Sequence, residues 1–250
     1  MDTPLYELDG TEGDRVDLPE VFETEYRPDL IRRAFTVAQA NAIQPKGADP
    51  LAGKRTSAES FGAGRGIAMV PRSNNRARRV PQTVGGRRAH PPKAEKDPTK
   101  GINKQERRLA NRSALASTAD AELVRERGHD IDEDLECPIV LDDAFEELTK
   151  TRDVVETLES LGLGDDLERA ASNRKRRAGR GTTRGRPHRR PTSVLVVTSS
   201  EAGPSRGARN IPGVDVATGT DVDVSELAPG GHPGRLTVFT ESALEEVATR

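Results

Sequence analysis

The sequence predicts an α/β fold with a mainly parallel sheet, carrying a long extended internal loop that has no core of its own. Three observations point there. Residues 193–198 (Ser-Val-Leu-Val-Val-Thr) are continuously apolar, as strands buried on both faces tend to be. Other short strand candidates alternate with helix-periodic segments. Between Pro45 and Gly101 neither period is sustained, and glycine and proline recur.

Taken in order, residues 28–42 read as a helix. Leu30, Ala34 and Ala38 share a face, Ile31, Phe35 and Ala42 lie beside it, and Pro28 suits a first turn. Order resumes near Asn103, where Leu109, Ala116, Ala119 and Leu123 follow helical spacing as far as a stop at Gly128. Residues 138–141 form a short apolar strand. Val154, Val155, Leu158 and Leu161 mark the next helix, opened by Thr151 as N-cap and closed near Gly162. After the strand at 193–198, residues 214–217 and 236–239 are further strands. A last helix starts near Glu241, with Ser242 and Glu245 placed for a capping box. No repeat of 20 to 50 residues is present.

Composition bounds the core. Of 250 residues, 33% are hydrophobic and 32% charged, with two Tyr, five Phe and no Trp, so long stretches must lie outside a modest aliphatic core. Cys137 is the one cysteine, which excludes an internal disulfide and fits a reducing setting. The first ten residues have no basic start and no apolar run. No window approaches the roughly 20 apolar residues of a membrane helix, so a soluble, unexported protein with no membrane partner is expected.

The formal charge of −2 conceals the main signal. Residues 53–96 hold eleven Lys/Arg against Glu59 and Glu95 (+9), residues 173–190 hold nine and no acid (+9), and the remainder therefore carries −20. From 53 to 96 the Leu/Ile/Val/Phe set is represented only by Phe61, Ile67, Val70, Val80 and Val84, too few for a self-supporting core. A core-less cationic segment gains order from a polyanion that supplies counter-charge and a surface to wrap. Arginine outnumbers lysine 31 to 8, and guanidinium pairs bidentately with phosphate. Phe61 is the lone aromatic in either segment, so phosphate and shape recognition should outweigh base stacking. Out and back, such an excursion reaches at most roughly 70 Å at ~3.3 Å per residue.

Other motifs are weaker. Gly62-x-Gly64-x-Gly66 lacks the strand before and helix after that a phosphate-cradling loop needs, so its glycines more plainly serve close backbone approach, with Arg65 as the contact. His90, His129, His188 and His232 show no metal-ligand spacing, and Cys137 reads as a packed or partly exposed thiol. The acidic pairs Asp142-Asp143, Glu146-Glu147 and Asp165-Asp166 read as a solvated face. Catalytic residues, metal and cofactor are all expected to be absent, as is a small-molecule substrate.

Several blocks resemble the universal large-subunit ribosomal protein L-four family in its archaeal form. They are Val16-Asp-Leu-Pro-Glu-Val-Phe-Glu-Thr, Phe61-Gly-Ala-Gly-Arg-Gly, Arg76-Ala-Arg-Arg-Val-Pro and Arg88-Ala-His-Pro-Pro-Lys. Two more are Glu106-Arg-Arg-Leu-Ala-Asn-Arg-Ser-Ala-Leu-Ala and Leu227-Ala-Pro-Gly-Gly-His-Pro-Gly-Arg-Leu-Thr-Val-Phe-Thr. The resemblance implies a three-layer α/β/α domain from residues 1–44 and 102–250. It also implies an extended loop, 45–101, that penetrates large-subunit rRNA and helps line the exit tunnel for the nascent polypeptide. Carried over by position, the loop tip falls around residues 70–80, with Val70, Arg72, Arg76, Arg78 and Arg79 lining the tunnel. Lys54, Arg55, Arg65, Arg87, Arg88, His90 and Lys93 would bind rRNA. So would the segment 173–190, through Arg174, Lys175, Arg176, Arg177, Arg180, Arg184, Arg186, Arg189 and Arg190.

Members of that family contact several rRNA domains, act early in assembly, and work in the cytoplasm beside neighbouring large-subunit proteins. A pI near 6.2 departs from the usual basic ribosomal protein; with the −20 body and scarce lysine it resembles proteins of salt-loving archaea. The alternative function is a free-standing RNA-binding regulator or translational repressor.

Overall fold

The computed structural model describes residues 1–132, 135–199 and 204–249. The chain divides into two units, one of Met1–Gln39 with Gly101–Arg250 and one of Ala40–Lys100.

The first unit is built on a six-stranded sheet. Its strands are β1 (Asp2–Tyr6), β2 (Glu12–Asp17), β3 (Ile139–Leu141), β4 (Leu195–Thr198), β5 (Asp215–Thr218) and β6 (Thr237–Thr240), in the spatial order β2-β1-β3-β6-β4-β5. Only the β1–β2 pair is antiparallel. Register explains the layers. Leu5, Val140, Phe239, Val197 and Ala217 form one row across five strands, and all meet one core. Ile139, Val238, Val196 and Val216 form the adjacent row and meet the other. Successive strand residues face opposite sides, so a continuously apolar strand feeds two cores at once.

Among the described residues, eight α-helices cover these faces: α1 (Pro28–Asn41), α2 (Lys104–Ala116), α3 (Ala121–Arg127), α4 (Thr151–Ser160), α5 (Gly164–Ser172), α6 (Pro204–Ala208), α7 (Val224–Leu227) and α8 (Glu241–Ala248). Ile31 of α1, Leu115 of α2, Leu227 of α7 and Leu244 of α8 pack on the Phe239 side. There Phe22 meets the Phe239 ring edge-on, at 5.6 Å between centroids. Val124 of α3, Leu158 of α4, Leu167 of α5 and Ala208 of α6 pack on the Val238 side. This is a three-layer α/β/α fold.

Several sequence expectations need correction. One helix was expected from Asn103 to Gly128; two form. Ser117 and Thr118 hydroxyls bond back to the Ala114 and Leu115 carbonyls at 2.7 Å, and Asp120 recaps α3 through the amides of Glu122 and Leu123. Leu109, assigned to the apolar face, is 38% exposed. Lys150, not Thr151, is the N-cap of α4. Thr240 caps α8, and the Ser242 amide is taken by Asp143 at 2.9 Å instead of by a capping box with Glu245. A capping box does form at Asp223–Glu226, opening α7. Sequence reading missed β1, β2, α5, α6 and α7.

In the second unit only Ala58 is fully buried beyond residue 40. Backbone pairing holds this unit together. The Ala48 amide donates to Pro92 at 2.8 Å, and Glu59 bridges Arg72. Residues Arg72–Ser73 and Arg76–Ala77 then form a small antiparallel hairpin. The excursion is thus not a plain out-and-back path. Because Glu59 meets Arg72, the residues between them form a separate glycine-rich loop.

Candidate nucleic-acid interface

The hairpin within residues 70–80 turns at Asn74 and Asn75, with φ of 51° and 59°. Two positive φ values define a type I′ turn, which matches strand twist and which asparagine tolerates better than other non-glycine residues. Around it, Arg72 donates to the Asn75 carbonyl at 3.2 Å and Arg78 to Val84 at 3.3 Å, both half-buried. Arg79 donates to Thr56 at 2.7 Å. Arg76 and Arg79 are exposed; Val70 is half-buried. Three of these four arginines therefore brace the fold through backbone carbonyls, and each keeps further donors.

On the flanks, Lys54, Arg55, Arg65, Arg87, Arg88, His90 and Lys93 are all exposed. Arg55 pairs with Asp49, and Arg65 lies 5.7 Å from the Phe61 ring centre. Gly62, Gly64 and Gly66 have φ of +76°, +84° and +65°, and a Cβ there would meet nothing within 4 Å. Backbone conformation, not crowding within the chain, is what calls for glycine at these positions.

The second basic segment is also a hairpin. Lys175–Arg176 pairs antiparallel with His188–Arg189, and Arg177 donates its amide to Pro187 at 2.8 Å. Arg174, Lys175, Arg176, Arg177, Arg180, Arg184, Arg186, Arg189 and Arg190 are all exposed. Among the described residues none of them pairs with a carboxylate. Nine cations within residues 173–190, with no acid among them, are poised for phosphate.

What fixes the root of this hairpin lay beyond the sequence. Asp166, read as part of a solvated face, is 0% exposed. It accepts from the Asp130 amide at 3.0 Å, from His129 Nδ1 at 3.2 Å and from the Ser193 hydroxyl, and pairs with Arg169 at 2.8 Å. Arg169 also donates to the Thr192 carbonyl at 3.0 Å. The segment leaves α5 and re-enters at Ser193, so this cluster ties its two ends together. Burial alone would raise the Asp166 carboxyl, but hydrogen bonds from His129, Ser193 and the Asp130 amide pull it down to about 2. Burial pushes His129 down, which keeps the imidazole neutral near pH 7.

At the opposite end of the sheet Asp143 and Glu146 are likewise engaged, while Glu147 is exposed. Glu146 accepts from the Ser199 amide and the Thr240 hydroxyl, each at 2.7 Å, and Asp143 holds Ser242. At the carboxyl ends of β4 and β6, where α/β enzymes place their ligands, Glu146 and Asp143 thus hold Ser199, Thr240 and Ser242.

A third cationic surface was missed. Lys104, Arg108 and Arg112, at spacings of four along α2, are exposed on one helix face, and Arg107 lies beside them. The four-residue period was readable, but it was overshadowed by the apolar period used to assign the helix.

The profile of the ribosomal protein L4/L1 family matches residues 16–250. A protein named large ribosomal subunit protein uL4 from Halorubrum lacusprofundi is 60% identical over 250 residues, covering all of both chains. Its namesake from Haloquadratum walsbyi is 58% identical over the same full span. That of Methanocaldococcus jannaschii is 52% identical over 251 residues, covering all of this chain and 99% of the other. With a match of this length and such similarity from end to end, the chain belongs to the ribosomal protein L4/L1 family, in its haloarchaeal form.

Proposed function

We propose that the chain is a structural constituent of the large ribosomal subunit that binds rRNA through the 45–101 loop and the 173–190 hairpin. The observation that carries this is the second hairpin, whose nine exposed cations have no carboxylate partner among the described residues. Its anchor at Asp166 makes it a positioned surface on the body. The loop adds a second contact remote in sequence, and two such contacts let one protein join separate rRNA domains early in assembly. Arg72, Arg76, Arg78 and Arg79 lie at the tip that would border the exit tunnel and meet the nascent chain. Family membership and relatives named as large-subunit proteins support this reading. No catalytic step is assigned to it.

Sedimentation tests the assignment. The chain should co-migrate with large subunits in cell extract and stay there after a wash in molar salt. A mainly free pool would instead favour the RNA-binding regulator. With purified protein, affinity for large-subunit rRNA should fall log-linearly with salt, by about 0.7 to 0.9 in slope for each phosphate engaged.

A further inference from the structure

The second hairpin borders a cleft of about 910 Å³ in the first unit. Its wall includes Arg127, Arg169, Lys175, Arg189 and Arg190, with Glu126 as the one acid among the lining residues. Arg127 is the telling member. Its guanidinium donates to the backbone carbonyls of His232, Pro233 and Pro229, the last at 3.1 Å. Three carbonyl oxygens hold it in place but neutralise none of its charge. Burial, followed by the nearby Arg235 and Arg169, lowers it to about 10. Arg235 and Arg169 each have a carboxylate, Asp215 at 2.6 Å and Asp166 at 2.8 Å. Arg127 has no such partner among the described residues. A partly buried cation positioned by backbone and left without counter-charge fits an anion supplied from outside.

The lining also includes Tyr26, 42% exposed in a chain with only two tyrosines. Phosphate-binding guanidinium and an aromatic face in one concavity match a nucleotide's two ends. The volume lies within the roughly 300–1,000 Å³ of pockets that take small ligands. It suits one or two nucleotides and not a duplex. Because Lys175, Arg189 and Arg190 belong both to this wall and to the proposed rRNA-binding hairpin, the nucleotide arrives as part of the same strand.

We propose that this cleft receives a single unstacked nucleotide of rRNA, with its phosphate on Arg127 and Arg190 and its base against Tyr26. The inference rests on the rRNA-binding reading above and deepens it. Unpaired, splayed-out nucleotides are what protein side chains recognise most specifically in folded RNA. The 173–190 hairpin would then act as a guide into a pocket, not merely as a charged surface.

Calorimetric titration of the full-length chain in molar KCl tests this with uridine monophosphate, ribose 5-phosphate and inorganic phosphate as probes. The nucleotide should bind at least tenfold more tightly than ribose 5-phosphate. Tyr26→Ala should bring the nucleotide down to the ribose 5-phosphate level. Arg190→Gln should weaken all three probes several-fold. Both positions are exposed, so these variants fold, whereas Arg127→Gln removes bonds to three carbonyls and is not used. Equal binding of nucleotide and ribose 5-phosphate, or an unchanged nucleotide affinity in Tyr26→Ala, overturns the proposal. Binding of the wild-type chain to large-subunit rRNA, measured in parallel, separates the two readings. If rRNA binds and the nucleotide does not, the cleft assignment fails alone. If rRNA itself does not bind, both fail.

Discussion

Asp166 concentrates the chemistry of the body at one residue. Its folded value near 2 lies below the ordinary 3.8, so it stabilises the native state above about pH 4, and that contribution is lost as pH falls towards 2. The shift corresponds to about 2 kcal/mol. Asp166→Asn should cost more, about 3 kcal/mol or above, because Arg169 is left without its partner. Denaturant titration at pH 7 measures this, and the gap from wild type should narrow between pH 4 and pH 2. A gap that stayed constant through that range would contradict the assignment. Cys137 behaves in the opposite sense, since burial pushes its thiol up to about 11. Iodoacetamide at pH 8 should therefore label native protein far more slowly than unfolded protein. Neither environment was legible in the sequence. His129, Asp166 and Ser193 are linked by no period, and only the packing of α3, α5 and β4 brings them together. Arg235 sat in a quoted block as one more arginine, yet it is 1% exposed and donates to Ser193 at 3.0 Å and Glu226 at 2.9 Å.

At the scale of elements, what could be read from sequence followed burial on both faces. β3, β4 and β6 were found to within two residues because buried parallel strands are simply apolar runs, and β5, a part-buried edge strand, was found to within one residue through its Val-Asp-Val-Ala pattern. β2 was invisible: Glu-Gly-Asp-Arg-Val-Asp shows no apolar alternation, since an edge strand buries little. α5 was lost because it opens on glycine and two aspartates, which read as loop. The basic segments were found by charge, while their hairpin form was not, because two-residue strands carry no periodic signal. That form makes a prediction. Replacing Arg174, Arg176, Arg177 and Arg180 with glutamine should make rRNA binding less salt-dependent, the slope falling by about one unit for each phosphate that an arginine no longer neutralises. Melting of the body should stay unchanged, because these side chains are exposed. Filter binding across a salt series checks the first part and calorimetry the second.

For the whole molecule, both hydrophobic cores draw only on residues outside the second unit. Deleting residues 62–86 should therefore leave the cooperative unfolding of the body intact, and a scanning melt without that transition would refute this. The acidic remainder has a separate consequence. At about 1 M salt the screening length is about 3 Å, against about 10 Å at 0.1 M, so repulsion across a body of charge −20 grows on dilution. Circular dichroism should show unfolding as salt is dialysed away; a fold stable in dilute buffer would count against adaptation to salt. The function was legible in composition to the level of a polyanion partner, and the family in the quoted blocks.

The sheet also sets a timetable. β1 is made almost at once, but its parallel neighbour β3 lies about 135 residues later in the chain. At roughly 5–20 residues per second, β1 waits about 7 to 27 s for that partner. The whole 40–100 segment is synthesised during the wait, cations exposed, before the body can close. That segment, with thirteen Lys/Arg against four acids, is therefore an exposed cationic stretch before the body is a fold, and it needs either a holder or its RNA within that interval.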